Sequence, residues 1–319
     1  MNNADNFPVD IEEQRSWLLA EKASRACSWP EIAKLVGVPH GTLSAFGTTN
    51  YAGDNAKLAR AVFRWRQLLA SQADRLEGLI ADPGYFDTPT SRRITGLLTI
   101  AQMGRITVGA TGPGTGKDMA ANEYAASVSN VWIATMWPTD KKMAAMIEKV
   151  LRALDVKPKG WTRHMSHQVV EQVQGKRGLL VINEANHLEA EAIEEIRAWH
   201  DATRVGVCLL GNEELLMRIE GGAKRDAYAR LNSRIAQRLI QTLPQPGDVA
   251  AFCDGWGLAD VGMRDFLTRI ALTPGAGGLR ECRQIVEQAS LLAADDDRPL
   301  AFSDLKDAQS TRATRSIRA

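Results

Sequence analysis

The stretch Arg105-Ile-Thr-Val-Gly-Ala-Thr-Gly-Pro-Gly-Thr-Gly-Lys117-Asp118 joins an apolar run to a glycine-rich loop that ends in lysine and opens a helix. Strand, loop and helix in that order make a phosphate cradle. Gly112, Gly114 and Gly116 let the backbone turn its N–H groups inward, with Pro113 and Thr115 between them. The helix presents its positive end, and Lys117 reaches the outer phosphates of a nucleotide. Two positions depart from the pattern G-x-x-x-x-G-K-S/T. The first glycine falls at Thr111, and the hydroxyl that binds magnesium falls at Asp118.

Downstream of the loop, strands and helices alternate, which predicts an α/β domain built on a parallel sheet. Strands are expected over 106–110, 131–135, 178–182 and 205–210. The third runs into Asn183-Glu184 and the fourth into Gly211-Asn212. Helical periodicity covers 117–128, 141–154, 164–174 and 190–200. A further helix is expected from Ala227 to Arg238, with Arg230, Arg234 and Arg238 at i, i+4 and i+8 as a solvated flank. Pro244-Gln-Pro-Gly247 interrupts the pattern, and the remainder reads as all-helical.

Upstream, Ile11 to Arg66 reads as short helices. Ser28 caps a helix that runs to Val36, Gly37-Val38 turns the chain, and a second helix starts near Pro39. That spacing is that of a helix-turn-helix, which would offer His40, Thr42 and Ser44 to a DNA groove. A helical hairpin that only packs on Ala61 to Trp65 fits the same residues. Trp29 and Trp65 are expected in the core. Asp82-Pro-Gly-Tyr-Phe-Asp-Thr-Pro-Thr90 reads as a linker. The expected organisation is a helix-turn-helix domain (1–81), a linker (82–92), an ATPase core (93–245) and a helical C-terminal domain (246–319).

The chain has 319 residues, 45% hydrophobic and 24% charged, enough for a full α/β core with a smaller domain at each end. A net charge of +1 excludes a globally basic protein, so contact with nucleic acid has to come from local patches. No apolar run approaches the roughly 20 residues of a membrane span, and Asp5, Asp10, Glu12 and Glu13 do not suit a signal peptide. The expectation is a soluble protein of the cytoplasm with no membrane partner. Cys27, Cys208, Cys253 and Cys282 are scattered and read as reduced thiols.

A phosphate cradle, an apolar strand ending in a carboxylate and a further strand ending in a polar residue occur in the order used by P-loop ATPases. In such sites the second strand supplies a magnesium-associated side chain and an adjacent Glu that orients the attacking water, and the third supplies a γ-phosphate sensor. Here these positions are Asn183, Glu184 and Asn212.

The chain resembles the B proteins of phage Mu and Mu-like prophages, AAA+ ATPases that activate target DNA. The matching stretches are Thr42-Leu-Ser-Ala-Phe46, Tyr51-Ala-Gly-Asp-Asn55, Pro113-Gly-Thr-Gly-Lys117, Asn130-Val-Trp132, Leu180 to Leu188, Leu210-Gly-Asn212 and Ala229 to Arg238. The resemblance implies a P-loop AAA+ core with a helical lid, using ATP and Mg2+. It further implies a homo-oligomeric filament that coats double-stranded DNA with little sequence preference and delivers it to a DDE transposase. It implies an arginine finger at Arg234 or Arg238 acting on a neighbour's ATP, and a lid-borne sensor at Arg280. DNA contact would fall to loop and helix-terminal cations, with Lys141, Lys142, Lys176 and Arg177 as candidates.

Two departures from that family are informative: Asp118 stands where it has Thr, and Asn183 where it has Asp. One reading is compensation, with Asp118 supplying the charge that Asn183 lacks. The other is decay, since an uncompensated carboxylate beside a triphosphate repels it by several kcal/mol gross at an effective dielectric of about 20. Efficient ATP hydrolysis therefore stays open. Two other readings stand beside the activator: a non-hydrolysing DNA adaptor with a degraded site, and a helix-turn-helix regulator carrying an ATPase domain.

Overall fold

Four apolar runs bounded by turns have the length of buried strands, and the computed structural model pairs them with a fifth strand in one parallel sheet of strands five to seven residues long. It describes residues 8–76, 80–221 and 228–313. The chain divides into two compact units at residues 79 and 80.

The first unit holds α1 (Ile11–Ser24), α2 (Trp29–Val36), α3 (His40–Gly47) and α4 (Asn55–Leu76). Leu18, Ile32, Leu43, Phe46, Val62 and Trp65 form its core, with Trp29 packed against it. Helix α2 ends at Gly37, whose φ of 77° is the left-handed conformation that terminates helices. Glu31 accepts hydrogen bonds from the Ser28 backbone N–H at 2.8 Å and hydroxyl at 2.6 Å, and the hydroxyl bond holds its carboxyl below the usual range. Arg15 is buried because Nε donates to the Phe46 carbonyl at 2.7 Å while the guanidinium covers the Phe46 ring.

The second unit begins with α5 (Pro89–Gln102), followed by β1 (Ile106–Thr111), α6 (Lys117–Ser127), β2 (Val131–Thr135), α7 (Met143–Ala153), α8 (Thr162–Val173) and β3 (Leu179–Asn183). Then come α9 (Ala190–Thr203), β4 (Gly206–Gly211), α10 (Glu213–Glu220), α11 (Ala229–Asn232) and β5 (Ile235–Gln241). Helices α12 (Pro246–Gly255), α13 (Val261–Ala271), α14 (Leu279–Asp295) and α15 (Phe302–Ala313) end the described chain. The strand order is β2-β3-β4-β1-β5.

Alternation along the strands builds two apolar layers. Leu180 and Ile182 pack with Met146, Val169 and Ile196 on the face carrying α7, α8 and α9. Leu179 and Val181 pack with Leu97, Leu98 and Ala120 on the face carrying α5 and α6. Strand β1 is buried throughout and lies between β4 and β5, so its carboxyl end is flanked by two further strand ends. Buried Cys208 and Cys282 are free thiols pushed up to about 12 by desolvation.

The helix expected from Ala227 to Arg238 is not formed. Residue 227 lies outside the described residues, α11 is a single turn, and Ile235–Gln241 is instead a strand registered with β1. A separation of four residues is close to one helical turn, which is why the segment reads as helical, but Arg234 precedes the strand and the register with β1 shifts after Ile235. The strand is decided by the free edge of β1, whose buried backbone groups require a partner. Residues 82–88, expected as a spacer, run against the C-terminal helices: Asp82 pairs with Arg283 at 2.7 Å and the Phe86 ring stands 6.0 Å from Phe252. Pro89 sits in the first turn of α5, which Thr88 caps.

Asp248 ties α12 to α5. Fully buried, it accepts hydrogen bonds from the Thr90 backbone N–H at 2.8 Å, from the Thr90 hydroxyl, and from the Gln245 N–H at 2.6 Å. Asp248→Ala strands all three donors and should destabilise the second unit by about 3 kcal/mol, read as a lower urea midpoint. A loss below about 0.5 kcal/mol, the range of ordinary surface changes, would contradict this role.

Candidate functional site

Each glycine of the loop answers a different demand. A Cβ on Gly112 would lie 1.9 Å from the Thr242 carbonyl oxygen, and one on Gly114 would lie 1.9 Å from that of Gly277. Gly114 and Gly116 also hold φ of 71° and 86°, the latter at the N-cap of α6. Gly112 N donates to Gln241 O and Leu279 N donates to Gly114 O, both at 2.9 Å, so the loop is pinned to the end of β5 and to the start of α14. The Thr115 hydroxyl closes the loop on the Gly112 carbonyl at 2.9 Å. Thr111 is the last residue of β1, registered with Gln241, so extended backbone there needs no glycine. Its hydroxyl is buried without a partner among the described residues.

Beyond the loop, Lys117 Nζ meets Glu184 Oε1 at 2.5 Å. Glu184 follows β3 with φ 54° and ψ 37°, a left-handed conformation that costs a non-glycine residue about 1 kcal/mol and turns its carboxylate toward the loop. Asn183 Nδ2 donates to Asp118 Oδ1 at 2.9 Å and to Thr135 Oγ1 at 3.4 Å, while Asn183 Oδ1 has no partner among the described residues. The two residues that depart from the standard motif thus touch one another. An aspartate at 183 would set two carboxylates at that distance.

The loop, Lys117, Asp118 and Glu184 line a cavity of about 500 Å³. Asn212 lines it too, as do the aromatic residues Tyr85, Phe86, Phe252 and Trp256 and the cations Arg280 and Arg283. Asn212 is the N-cap of α10, accepting from Glu214 N at 3.1 Å. Arg283 is engaged by Asp82 and Glu287, each at 2.7 Å. A cavity lined by both a phosphate cradle and flat apolar rings fits a nucleoside triphosphate. The Asp118 carboxylate and the unpartnered amide oxygen of Asn183 are the hard oxygen ligands that suit a magnesium ion.

The aromatic lining was not expected from the sequence. Its signal was Tyr85-Phe86, two adjacent aromatics inside a stretch otherwise rich in proline and glycine.

The other expected residues lie away from this cavity. Arg234 precedes β5 at the amino edge of the sheet and pairs with Asp201 at 2.7 Å, holding that carboxyl below its usual range. Arg238 registers with Val108, below the loop, and pairs with Glu220 at 2.5 Å. Lys141 and Lys142 are exposed just after β2, at the carboxyl edge. Lys176 and Arg177 are exposed just before β3, at the amino edge, so the four do not share one surface. On α3, His40 is exposed while Thr42 and Ser44 are half-buried.

Sequence comparison matches residues 107–219 to the family described as "AAA domain" and residues 233–311 to "Mu B transposition protein, C terminal". The chain is 30% identical over 270 residues to the "ATP-dependent target DNA activator B" of Escherichia phage Mu, covering 84% of this chain and 85% of that one. The protein of the same name from Escherichia phage D108 matches at the same identity and coverage. The "Mu-like prophage FluMu DNA transposition protein B" of Haemophilus influenzae is 30% identical over 256 residues, 78% of this chain and 87% of its own.

The Asp118–Asn183 contact is testable by a double-mutant cycle on Mg-ATP affinity. Asn183→Asp alone should weaken binding about tenfold, and adding Asp118→Thr should restore it, a coupling of more than about 1 kcal/mol. Additive effects would refute compensation.

Proposed function

The chain belongs to the family of the Mu B transposition proteins, and from that premise we propose that it is an ATP-dependent activator of target DNA. The observation that carries this reading is the cradle at Gly112 to Lys117, joined to Glu184 by an ion pair at the carboxyl edge of the sheet. Ligands of open α/β sheets bind at that edge, where the connections leaving neighbouring strands go to opposite sides of the sheet.

In this proposal the loop N–H groups and Lys117 hold the phosphates, Asp118 and Asn183 hold magnesium, and Asn212 senses the γ-phosphate. The ion would supply charge neutralisation of the phosphates. Glu184 must leave Lys117 to orient water, so the ion pair marks the resting state. Arg280, in the first turn of α14 on the cavity wall, reads the phosphates from the helical lid at 246–319. Arg234 and Arg238 do not line their own chain's cavity, which suits a finger that completes a neighbour's site. Subunits would stack as a filament on double-stranded DNA and hand it to a DDE transposase.

Lys141 and Lys142 are the better placed DNA candidates, being on the nucleotide edge. Lys176 and Arg177 would serve a different surface. In the first unit, α2 and α3 would place His40, Thr42 and Ser44 as a helix-turn-helix. The proposed setting is the cytoplasm of the bacterial host; no described helix is long and apolar enough to cross a membrane.

A second reading, an adaptor that binds ATP without turning it over, draws on the carboxylate of Asp118 in place of a hydroxyl. Negative-stain microscopy with Mg-ATP and duplexes of unrelated sequence tests the proposal. It should show filaments that vanish for Lys117→Ala and on removal of nucleotide. Absence of filaments on every duplex would overturn it, and filaments without ATP turnover would favour the adaptor.

A further inference from the structure

The connection between α7 and α8 presents an indole to solvent on a fixed backbone. Trp161 is 86% exposed, more than any other large apolar side chain among the described residues. It is the N-cap of α8, with φ −79° and ψ 160°, and its carbonyl accepts from Met165 N at 3.0 Å. Before it, Gly160 turns the chain at φ 84°; a Cβ there would come within 2.9 Å of the His164 ring. The other end of the connection is anchored by Val156 N on Leu151 O at 2.8 Å. A defined turn therefore sets the backbone that carries the indole.

The two other tryptophans near β2 have partners within the chain. Lys149 Nζ lies 3.6 Å from the Trp137 ring centroid, and Lys176 Nζ lies 5.9 Å from that of Trp132. Trp161 has neither a ring nor a cation partner among the described residues. Around it, Lys157, Lys159 and Arg163 are exposed, form no ion pair among the described residues, and share residues 157–163 with no carboxylate. Lys157 also lines a cleft with Arg152, Glu148 and Asp155, so carboxylates stand near that end of the segment.

We propose that Lys157, Lys159, Trp161 and Arg163 form a second nucleic-acid site, which takes an unpaired nucleotide strand: the indole stacks on an unstacked base and the three cations follow its phosphates. A flat ring with free cations on both sides is the platform that single strands use, whereas a stacked duplex offers no base face to the indole. The site lies outside the nucleotide cavity and goes beyond the duplex-binding reading.

The test is anisotropy of labelled oligothymidylate and of a blunt duplex of equal length with the full chain, without nucleotide. Trp161→Ala should weaken oligothymidylate binding about tenfold and change duplex binding by less than about twofold, whereas Trp161→Phe keeps most of the affinity. Replacing Lys157, Lys159 and Arg163 together by alanine should lower the salt slope for the single strand by about 2. Circular dichroism checks that each variant is folded. Equal losses for both nucleic acids, or no loss for either, would overturn the proposal. So would a polyglutamate peptide that binds the wild type more tightly than oligothymidylate and loses that affinity in Trp161→Ala. Lys117→Ala should leave the Trp161 effect intact, which separates failure here from failure of the ATP-dependent reading.

Discussion

Backbone crowding at Gly112 and Gly114 fixes the second unit. Each glycine faces a carbonyl oxygen that a Cβ would approach to 1.9 Å, one from Thr242 beyond β5 and one from Gly277 before α14. Neither obstacle is a movable side chain. The loop can therefore exist only where the end of β5 and the first turn of α14 converge on it, and that convergence makes the cavity. Asp248 adds a second tie by serving the amino ends of α5 and α12 with one buried carboxylate.

Within this frame the charges are arranged in pairs. Lys117 is neutralised by Glu184, and Asp118 keeps its charge but accepts a hydrogen bond from the amide of Asn183. The first pair costs a strained backbone at Glu184, which places the carboxylate beside the cradle. The second pair explains why a carboxylate is tolerated on the helix that follows the loop: it sits in the first turn of α6, where the helix dipole also favours an anion. A conventional aspartate at 183 would remove that tolerance.

Much of this was legible in the sequence. Apolar runs of strand length, the loop and the order of the polar strand ends all follow from local chemistry, and the linkage of positions 118 and 183 follows from charge. Strand β5 was not legible, because the four-residue spacing of Arg230, Arg234 and Arg238 reads as helical and only the bare edge of β1 makes Ile235–Gln241 a strand. The aromatic wall was hidden for a different reason. Tyr85-Phe86 and Phe252 are 166 residues apart at their nearest, and no local pattern joins them. Likewise, Lys141 and Lys176 look equivalent as loop cations until the parallel sheet puts them at opposite edges.

The account depends on the cavity binding Mg-ATP through Lys117. Isothermal titration of ATP into the full chain, with and without magnesium and beside Lys117→Ala, measures that directly. The predicted result is saturable binding that magnesium strengthens and that Lys117→Ala weakens by about a hundredfold, roughly the loss of one charge-assisted contact. ATP binding that neither magnesium nor Lys117→Ala alters would contradict it.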